Sequence, residues 1–160
     1  MAEVSFAATT PVSVAKVGIK ARDGQKLADY YKSVVGLKEV SRRPGVIVLG
    51  AGGDGFFEIE EVKSLKQDDP RSAGLFHTAF LWPKRADLAR WTQHAMDKQI
   101  QIDGASDHLV SEAIYLTDPE GNGIEIYADR KPIGWKWDGS NVRMATERLA
   151  VSFGEFDLAD

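Results

Sequence analysis

The chain contains no cysteine. It therefore forms no disulfide and has no cysteine nucleophile, and any metal must be bound by His, Asp or Glu side chains. It also lacks a basic cluster, and its net charge of −4 argues against a nucleic-acid partner. No apolar stretch has the length of a signal peptide or a membrane span. These absences predict a cytoplasmic protein, with no membrane partner, that binds small molecules or other proteins.

The composition is that of a folded protein. The 160 residues, 43% of them hydrophobic, are enough for one compact domain or two small fused units. Residues 1–13 are rich in Ala, Ser, Thr and Pro and predict a flexible N-terminus. Residues 14–66 and 75–130 show the same order of one strand, one helix and three strands, separated by a polar linker at 67–74. Residues 131–160 form a C-terminal extension, and the whole is expected to be one compact domain.

The hydrophobic periodicity defines the elements. A helix at Gln25–Val35 repeats apolar residues at helical spacing, with Asp23 as its N-cap and Gly36 at its end. A second helix is predicted at Arg85–Lys98. The predicted strands are Val14–Ala21, Leu37–Ser41, Val46–Gly50, Phe56–Val62, Leu75–Trp82, Gln101–Ile102, His108–Leu116 and Gly123–Tyr127. The Gly-rich turn Gly52–Gly55 precedes no helix, so it is not predicted to bind phosphate, and no organic cofactor site is predicted.

Two fixed offsets test the repetition. Adding 61 takes Lys16 to His77, and adding 67 takes Glu58 to Glu125. The difference implies about six additional residues in the second unit, which we place in the loop near 103–107. The sequence thus predicts an α+β protein of two tandem βαβββ modules, forming a curved, cup-like mixed sheet with the helices outside.

The repeat also predicts a cluster of polar side chains. Glu125 follows a tight turn at 118–122 and faces away from its apolar neighbours on a strand. If the two modules pair, Glu125, Glu58, His77 and Lys16 converge. His77, Glu58 and Glu125 are the residue types that bind Mn, Fe, Ni or Zn while leaving positions open for water or a chelating substrate.

Lys16 is the exception in this cluster. An ammonium group has no lone pair and cannot bind a metal, so it must turn away or pair with Glu58 or Glu125 in place of the ion. A metal-free cavity that holds an apolar or aromatic ligand is therefore the rival interpretation.

Several segments carry a family resemblance. Residues 17–37, 74–81, 107–116 and 118–127 resemble the vicinal oxygen chelate superfamily, which includes glyoxalase I, extradiol dioxygenases, methylmalonyl-CoA epimerase and bleomycin-resistance proteins. Residues 74–80, 85–90, 106–113 and 118–127 are most similar to the N-terminal half of the catechol 2,3-dioxygenase group, as is the stretch 129–146. The resemblance covers about residues 14–149.

The resemblance implies a metal-dependent enzyme of the glyoxalase or extradiol dioxygenase type. Its substrate would be a small oxygen-chelating molecule, either catechol-like, a dicarbonyl or a hydroxy acid. His77, Glu58 and Glu125 occupy the ligand positions for a divalent Fe, Mn, Ni or Zn ion, whereas Lys16 departs from the pattern. The alternative is a metal-free small-molecule binding protein or an inactive paralogue, in which Lys16 replaces a ligand or binds substrate.

Further expectations concern the catalytic residues, the assembly and the C-terminus. His108 and Tyr115 are candidate catalytic residues, His108 as an acid or base because it precedes a strand, although a structural role is the alternative for it. The longer relatives bury such a module against a second one, which implies a homodimer for this chain. Trp135, Trp137, Phe153 and Phe156 would cap the sheet or a partner subunit, and Glu155–Asp160 are expected to fray.

Overall fold

The computed structural model describes residues 9–66, 69, 71 and 73–149. They form two compact units, one made of Val14–Thr78 with Thr117–Gly123 and the other of Ala79–Leu116 with residues 9–13 and 124–149. Two helices and two main sheets make this an α+β protein of two βαβββ modules, as the sequence predicts. Among the described residues, no helix has the length and apolar character needed to span a membrane.

The first module lies in the first of these units. Its elements are β1 (Val17–Ala21), α1 (Gly24–Val34), β2 (Lys38–Arg43), β3 (Val46–Gly50) and β4 (Phe57–Glu61). The strand order is β1-β4-β3-β2, with β1 parallel to β4 and the other pairs antiparallel. Leu27 and Tyr31 of α1 are fully buried, and the helix packs on β3 and β4. The Asp23 carboxylate accepts from the Lys26 backbone N–H at 2.9 Å, which is the predicted N-cap.

The second sheet repeats this arrangement. Its elements are β5 (His77–Leu81), α2 (Arg85–Asp97), β6 (Gly104–Asp107), β7 (Ser111–Thr117) and β8 (Gly123–Asp129). The strand order is β5-β8-β7-β6, with β11 (Glu147–Arg148) added next to β6. The order β1-β4-β3-β2 of the first sheet therefore recurs, as expected for an internal repeat.

The sequence misplaces one strand of the second module. Gln101–Ile102 is not a strand, and the predicted loop at 103–107 contains β6. Gly104 pairs with Tyr115 and Asp107 with Glu112 in the antiparallel ladder. Pairing with β7 thus overrides the weak strand propensity of a Gly-Ala-Ser-Asp segment. His108 accordingly lies in the turn between β6 and β7 rather than within a strand.

The described part of the C-terminal extension has structure of its own. A 3₁₀ turn at Pro132–Gly134 precedes a short hairpin of β9 (Trp137–Asp138) and β10 (Asn141–Val142). The module boundaries remain sequence-based predictions. The predictions for Phe153, Phe156 and Glu155–Asp160, and for much of the N-terminus and linker, lie outside the described residues.

Candidate active site

Strand β8 presents Glu125 as the sequence predicts. Ile124 and Ile126 have no exposed surface, while Glu125 and Tyr127 are half-buried on the other face. This alternation follows from the two-residue period of a strand whose one face contributes to the core. Burial of Ile124 and Ile126 therefore determines the face of β8 on which Glu125 lies.

Glu125 belongs to a hydrogen-bonded series of three side chains, all in the same unit. Tyr115, on the adjacent strand β7, donates from its hydroxyl to Glu125 Oε1 at 3.2 Å. The Tyr115 hydroxyl also lies 2.7 Å from His108 Nε2. The phenol of Tyr115 thus links the imidazole of His108 to the carboxylate of Glu125. Of the two candidate catalytic residues, Tyr115 contacts Glu125 directly and His108 contacts Tyr115.

The other ring nitrogen of His108 determines the tautomer. Nδ1 lies 2.8 Å from the backbone carbonyl oxygen of Ala145. A carbonyl only accepts, so Nδ1 must carry a proton in this contact. In the neutral imidazole Nε2 is then an acceptor, directed at the Tyr115 hydroxyl.

Tyr115 is held as a neutral phenol. Burial, followed by the nearby charge of Glu125 and its hydrogen bond, raises the pKa of Tyr115 to about 12. At neutral pH Tyr115 therefore keeps its proton, and its hydroxyl can donate a hydrogen bond to either of its two partners.

Lys16 and Glu58 meet in the other unit. Lys16 Nζ lies 2.9 Å from Glu58 Oε1, and Arg43 Nη2 lies 3.3 Å from Glu58 Oε2. The hydrogen bonds from Lys16 and then Arg43 lower the pKa of Glu58 below its usual value. Each carboxylate oxygen of Glu58 thus has a cationic partner, and the contact with Lys16 is the pairing that the sequence offers as the alternative to a metal.

His77 begins β5 and is half-buried, with its ring centroid 4.8 Å from that of Phe76. It shares a unit with Glu58, whereas Glu125 belongs to the other unit. In the part of the chain that the structure describes, no three His, Asp or Glu side chains form a group suited to holding a metal ion. The ligand set of His77, Glu58 and Glu125 remains a prediction from sequence.

An ion-pair cluster beside His108 escaped the sequence analysis. The Glu112 side chain is only 5% exposed and accepts from Arg85 Nε at 2.9 Å and from Arg130 Nη2 at 2.8 Å. Arg130 Nη2 also lies 2.7 Å from Asp107 Oδ2. A single acidic residue within the apolar run of β7 was the available signal, because a buried carboxylate requires a cationic partner.

The comparisons with known proteins agree with this fold. The profile of the Glyoxalase/Bleomycin resistance protein/Dioxygenase superfamily matches residues 13–126. The catechol-2,3-dioxygenase of Bacillus subtilis is 37% identical over 145 residues, which cover 89% of this chain and 50% of that protein. The chain therefore spans about half the length of this curated relative.

Solved structures share the fold at lower identity. A glyoxalase/dioxygenase from Nostoc punctiforme has a TM-score of 0.63 at 18% identity, covering 81% of this chain and 99% of its own. A lactoylglutathione lyase from Agrobacterium tumefaciens has a TM-score of 0.57 at 21% identity, covering 74% and 94%. Together with the profile match over most of its length, these findings show that this chain belongs to the glyoxalase/bleomycin resistance protein/dioxygenase superfamily.

Proposed function

We propose that the protein is an enzyme that binds a small, catechol-like substrate and moves its protons through His108, Tyr115 and Glu125. The observation that carries this proposal is the continuous hydrogen-bonded series of these three side chains. Among the substrate classes implied by the sequence, the similarity to a protein named catechol-2,3-dioxygenase favours a catechol over a dicarbonyl or a hydroxy acid.

The hydrogen-bonded series of His108, Tyr115 and Glu125 can accept one proton from a substrate. The Tyr115 oxygen makes two contacts, with His108 Nε2 and Glu125 Oε1, and each contact needs one proton. Tyr115 supplies one of them. The second resides on Nε2 when Tyr115 donates to Glu125, or on Glu125 when Tyr115 donates to Nε2. A proton accepted from a substrate hydroxyl would therefore complete the series, which suits a general base.

A divalent ion, Fe, Mn, Ni or Zn, belongs to the proposal on the sequence argument alone. In that argument His77, Glu58 and Glu125 are the ligands, and the ion, when bound, would polarise the adjacent oxygens of the substrate.

Oxygen uptake with catechol as the probe tests this function. The purified protein is supplied in turn with Fe(II), Mn(II), Ni(II) or Zn(II). It is expected to consume oxygen on addition of catechol with a redox-active ion such as Fe(II) or Mn(II), and not with Zn(II), which has no redox chemistry. Tyr115→Phe interrupts the series and should lower the rate about 100-fold or more, because general acid–base catalysis contributes roughly 10²–10⁴-fold. His94→Gln, at an exposed position of α2, is the control. A Tyr115→Phe variant as active as the wild type would refute the assignment.

A second candidate function is a metal-free small-molecule binding protein or an inactive paralogue. The ion pair between Lys16 and Glu58 favours it, because the ammonium supplies the positive charge that a metal would bring. This candidate predicts a protein purified without stoichiometric metal, whose thermal stability does not respond to added ions. Lys16→His should then create metal binding where the wild type has none. Stoichiometric metal in the wild type would end this candidate.

The homodimer also belongs to the proposal. It rests on the resemblance to longer relatives, and light scattering of the purified chain measures it directly. A mass near 17.6 kDa, that of one chain, would contradict it.

A further inference from the structure

The turn that carries His108 has an unfavourable backbone conformation. Leu109 has a φ of +68°, in the left-handed region that side chains other than glycine seldom adopt. The turn joins β6 to β7, and the His108 N–H donates to the Ser111 carbonyl at 2.9 Å. A residue in this region is retained when surrounding contacts determine it, and such positions are frequent at functional sites.

Arg130 contacts this turn from several directions. Its backbone N–H donates to the Val110 carbonyl at 2.8 Å, and its Nη1 donates to the Leu109 carbonyl at 3.4 Å. Its Nη2 donates to Asp107 Oδ2 at 2.7 Å and to Glu112 Oε1 at 2.8 Å. One residue therefore bonds positions on both sides of His108 as well as the strained residue itself.

The partners of Arg130 are themselves held in place. Asp107 Oδ1 accepts from the Leu109 N–H at 2.8 Å, and the Trp135 indole N–H donates to the Arg130 carbonyl at 2.9 Å. Burial opposes ionisation of Asp107, but the hydrogen bonds from Arg130 and the Leu109 N–H outweigh it and lower the pKa of Asp107. Burial also opposes the charge of Arg130, yet its bonds to Glu112 and Asp107 raise its pKa. Asp107 and Arg130 thus stay charged, and their contact is maintained across the ordinary pH range.

We propose that Arg130 is a positioning residue whose guanidinium holds the 107–112 turn, with Leu109 in its left-handed conformation, so that His108 keeps its contact with Tyr115. The inference rests on the proposed function, because it assigns Arg130 a role through His108. Only the planar fork of an arginine offers several donors in fixed directions, so a point charge cannot replace it.

Arg85 provides a matched control. It bonds the same buried carboxylate, Glu112, from the start of α2. Loss of either side chain removes one cation from Glu112, but only the Arg130 guanidinium also bonds Asp107 and the Leu109 carbonyl. The backbone bond from Arg130 to the Val110 carbonyl remains in both variants. If Arg130 only neutralised Glu112, the two losses would have equal consequences for His108.

The direct readout is the imidazole of His108 in protein labelled with ¹⁵N-histidine. The wild type should show the Nδ1–H tautomer with a slowly exchanging proton, assigned by its loss in His108→Gln. Arg130→Gln is expected to give a mixture of tautomers with fast exchange, and Arg85→Gln to keep the wild-type pattern. Should Arg130→Gln not fold, Arg130→Lys takes its place. It keeps the positive charge beside Glu112 but lacks the planar fork of donors, so it is also expected to give a mixture of His108 tautomers with fast exchange.

Leu109 supplies a second comparison. Gly at position 109 adopts a positive φ without steric cost, so Leu109→Gly should reduce the dependence of the turn on Arg130. The double variant Arg130→Gln/Leu109→Gly is expected to recover part of the His108 pattern that Arg130→Gln loses. If the two substitutions had additive effects on the tautomer mixture of His108, the proposal would be contradicted.

Turnover of catechol separates this inference from the function on which it rests. Arg130→Gln should lower kcat about 10- to 100-fold with a smaller change in KM, because misplaced catalytic groups cost up to about that factor. A wild type without turnover would remove the proposed function and leave the His108 spectra as the test of positioning. An unchanged His108 pattern in Arg130→Gln, or an equal change in Arg85→Gln, would overturn the inference.

Discussion

Glu58 and Glu125 occupy equivalent positions of the repeat but have opposite surroundings. Glu58 faces the ammonium of Lys16 and the guanidinium of Arg43. Glu125 accepts a hydrogen bond from the neutral phenol of Tyr115. The two cations favour the anionic form of Glu58, whereas Glu125 Oε1 accepts from an uncharged donor. The two modules have therefore diverged in chemistry while keeping the residue type.

The charge of Glu125 should be measurable in the ionisation of Tyr115. Glu125→Gln removes a negative charge that, after burial, helps to raise the pKa of Tyr115 to about 12. We expect the pKa of Tyr115 to fall in this variant and to stay above 10, because burial still opposes the phenolate. Ultraviolet titration of tyrosinate measures it, with Tyr115→Phe identifying the contribution of Tyr115.

Glu58→Gln is the control for this titration, because Glu58 is the equivalent carboxylate of the first module. It should leave the ionisation of Tyr115 as it is in the wild type. A Glu125→Gln curve that coincides with the wild type would show that Glu125 does not act on Tyr115.

At the scale of elements, the two sheets differ at the end away from β1 and β5. In the described residues, β11 pairs with β6, whereas β2 ends the first sheet with all six of its residues exposed. Four of these six residues are charged, and the pairing with β3 contains a register shift between Glu39 and Ser41. Charges and a bulge are common means of protecting an edge strand from further pairing.

The start of β8 depends on a close backbone approach. A Cβ atom at position 123 would lie 2.4 Å from the Phe76 carbonyl oxygen and 3.0 Å from the His77 Cβ. Because one neighbour is backbone, the chain at 76–77 would have to move. Gly123→Ala should therefore lower the free energy of unfolding by about 1–3 kcal/mol, as overpacking does. Urea unfolding followed by circular dichroism measures this change.

Gly104→Ala is the matched control for this substitution. Gly104 also lies in a strand, β6, but a Cβ there meets no atom within 4 Å. The alanine should be neutral or raise the free energy of unfolding by up to about 1 kcal/mol, since it reduces the entropy of the unfolded chain. Equal losses in both variants would show that the contact with Phe76 and His77 does not matter.

At the scale of the whole molecule, each unit contains a tyrosine whose ionisation is suppressed by folding. Tyr31 is fully buried in one unit and donates to Asp118 Oδ2 at 3.0 Å. Burial, followed by the charge of Asp118, raises the pKa of Tyr31 above its usual value. In the other unit, burial and then the charge of Glu125 raise the pKa of Tyr115. The unfolded chain, in which both phenols titrate near 10, releases these protons more readily.

Stability should therefore fall in alkaline solution. A group whose pKa is raised by folding contributes stability that is present below its unfolded pKa and is lost as the pH rises toward the folded pKa. The loss should begin near pH 10, and by pH 11 Tyr115 alone should account for about 1 kcal/mol. Urea unfolding of the wild type at pH 8 and pH 11 measures it.

Phenylalanine variants test whether the two tyrosines cause this loss of stability at alkaline pH. Tyr31→Phe and Tyr115→Phe should each show a smaller decrease between pH 8 and pH 11 than the wild type, whatever their stability at pH 8. A decrease as large as that of the wild type in both variants would mean that other groups are responsible, such as Tyr127, whose pKa is also raised by burial.

The sequence by itself determined the architecture. The two-residue period of Ile124 and Ile126 placed Glu125 on the opposite face of β8, and Asp23 marked the start of α1. These features follow from local periodicity and capping, which depend on residues close together in the chain. The strand order, repeated in both sheets, follows from the repetition of the same local pattern.

Only the tertiary structure decided which side chains meet. Tyr115 bonds Glu125 and links it to His108. Lys16 and Arg43 pair with Glu58. The left-handed conformation of Leu109 had no distinct local signal. The acidic residue in the apolar run of β7 indicates that Glu112 needs a cationic partner, but not that Arg85 and Arg130 supply it. The physical reason is that strand register and side-chain rotamer determine a hydrogen bond within tenths of an ångström. Local periodicity specifies only the face of the strand on which a residue lies.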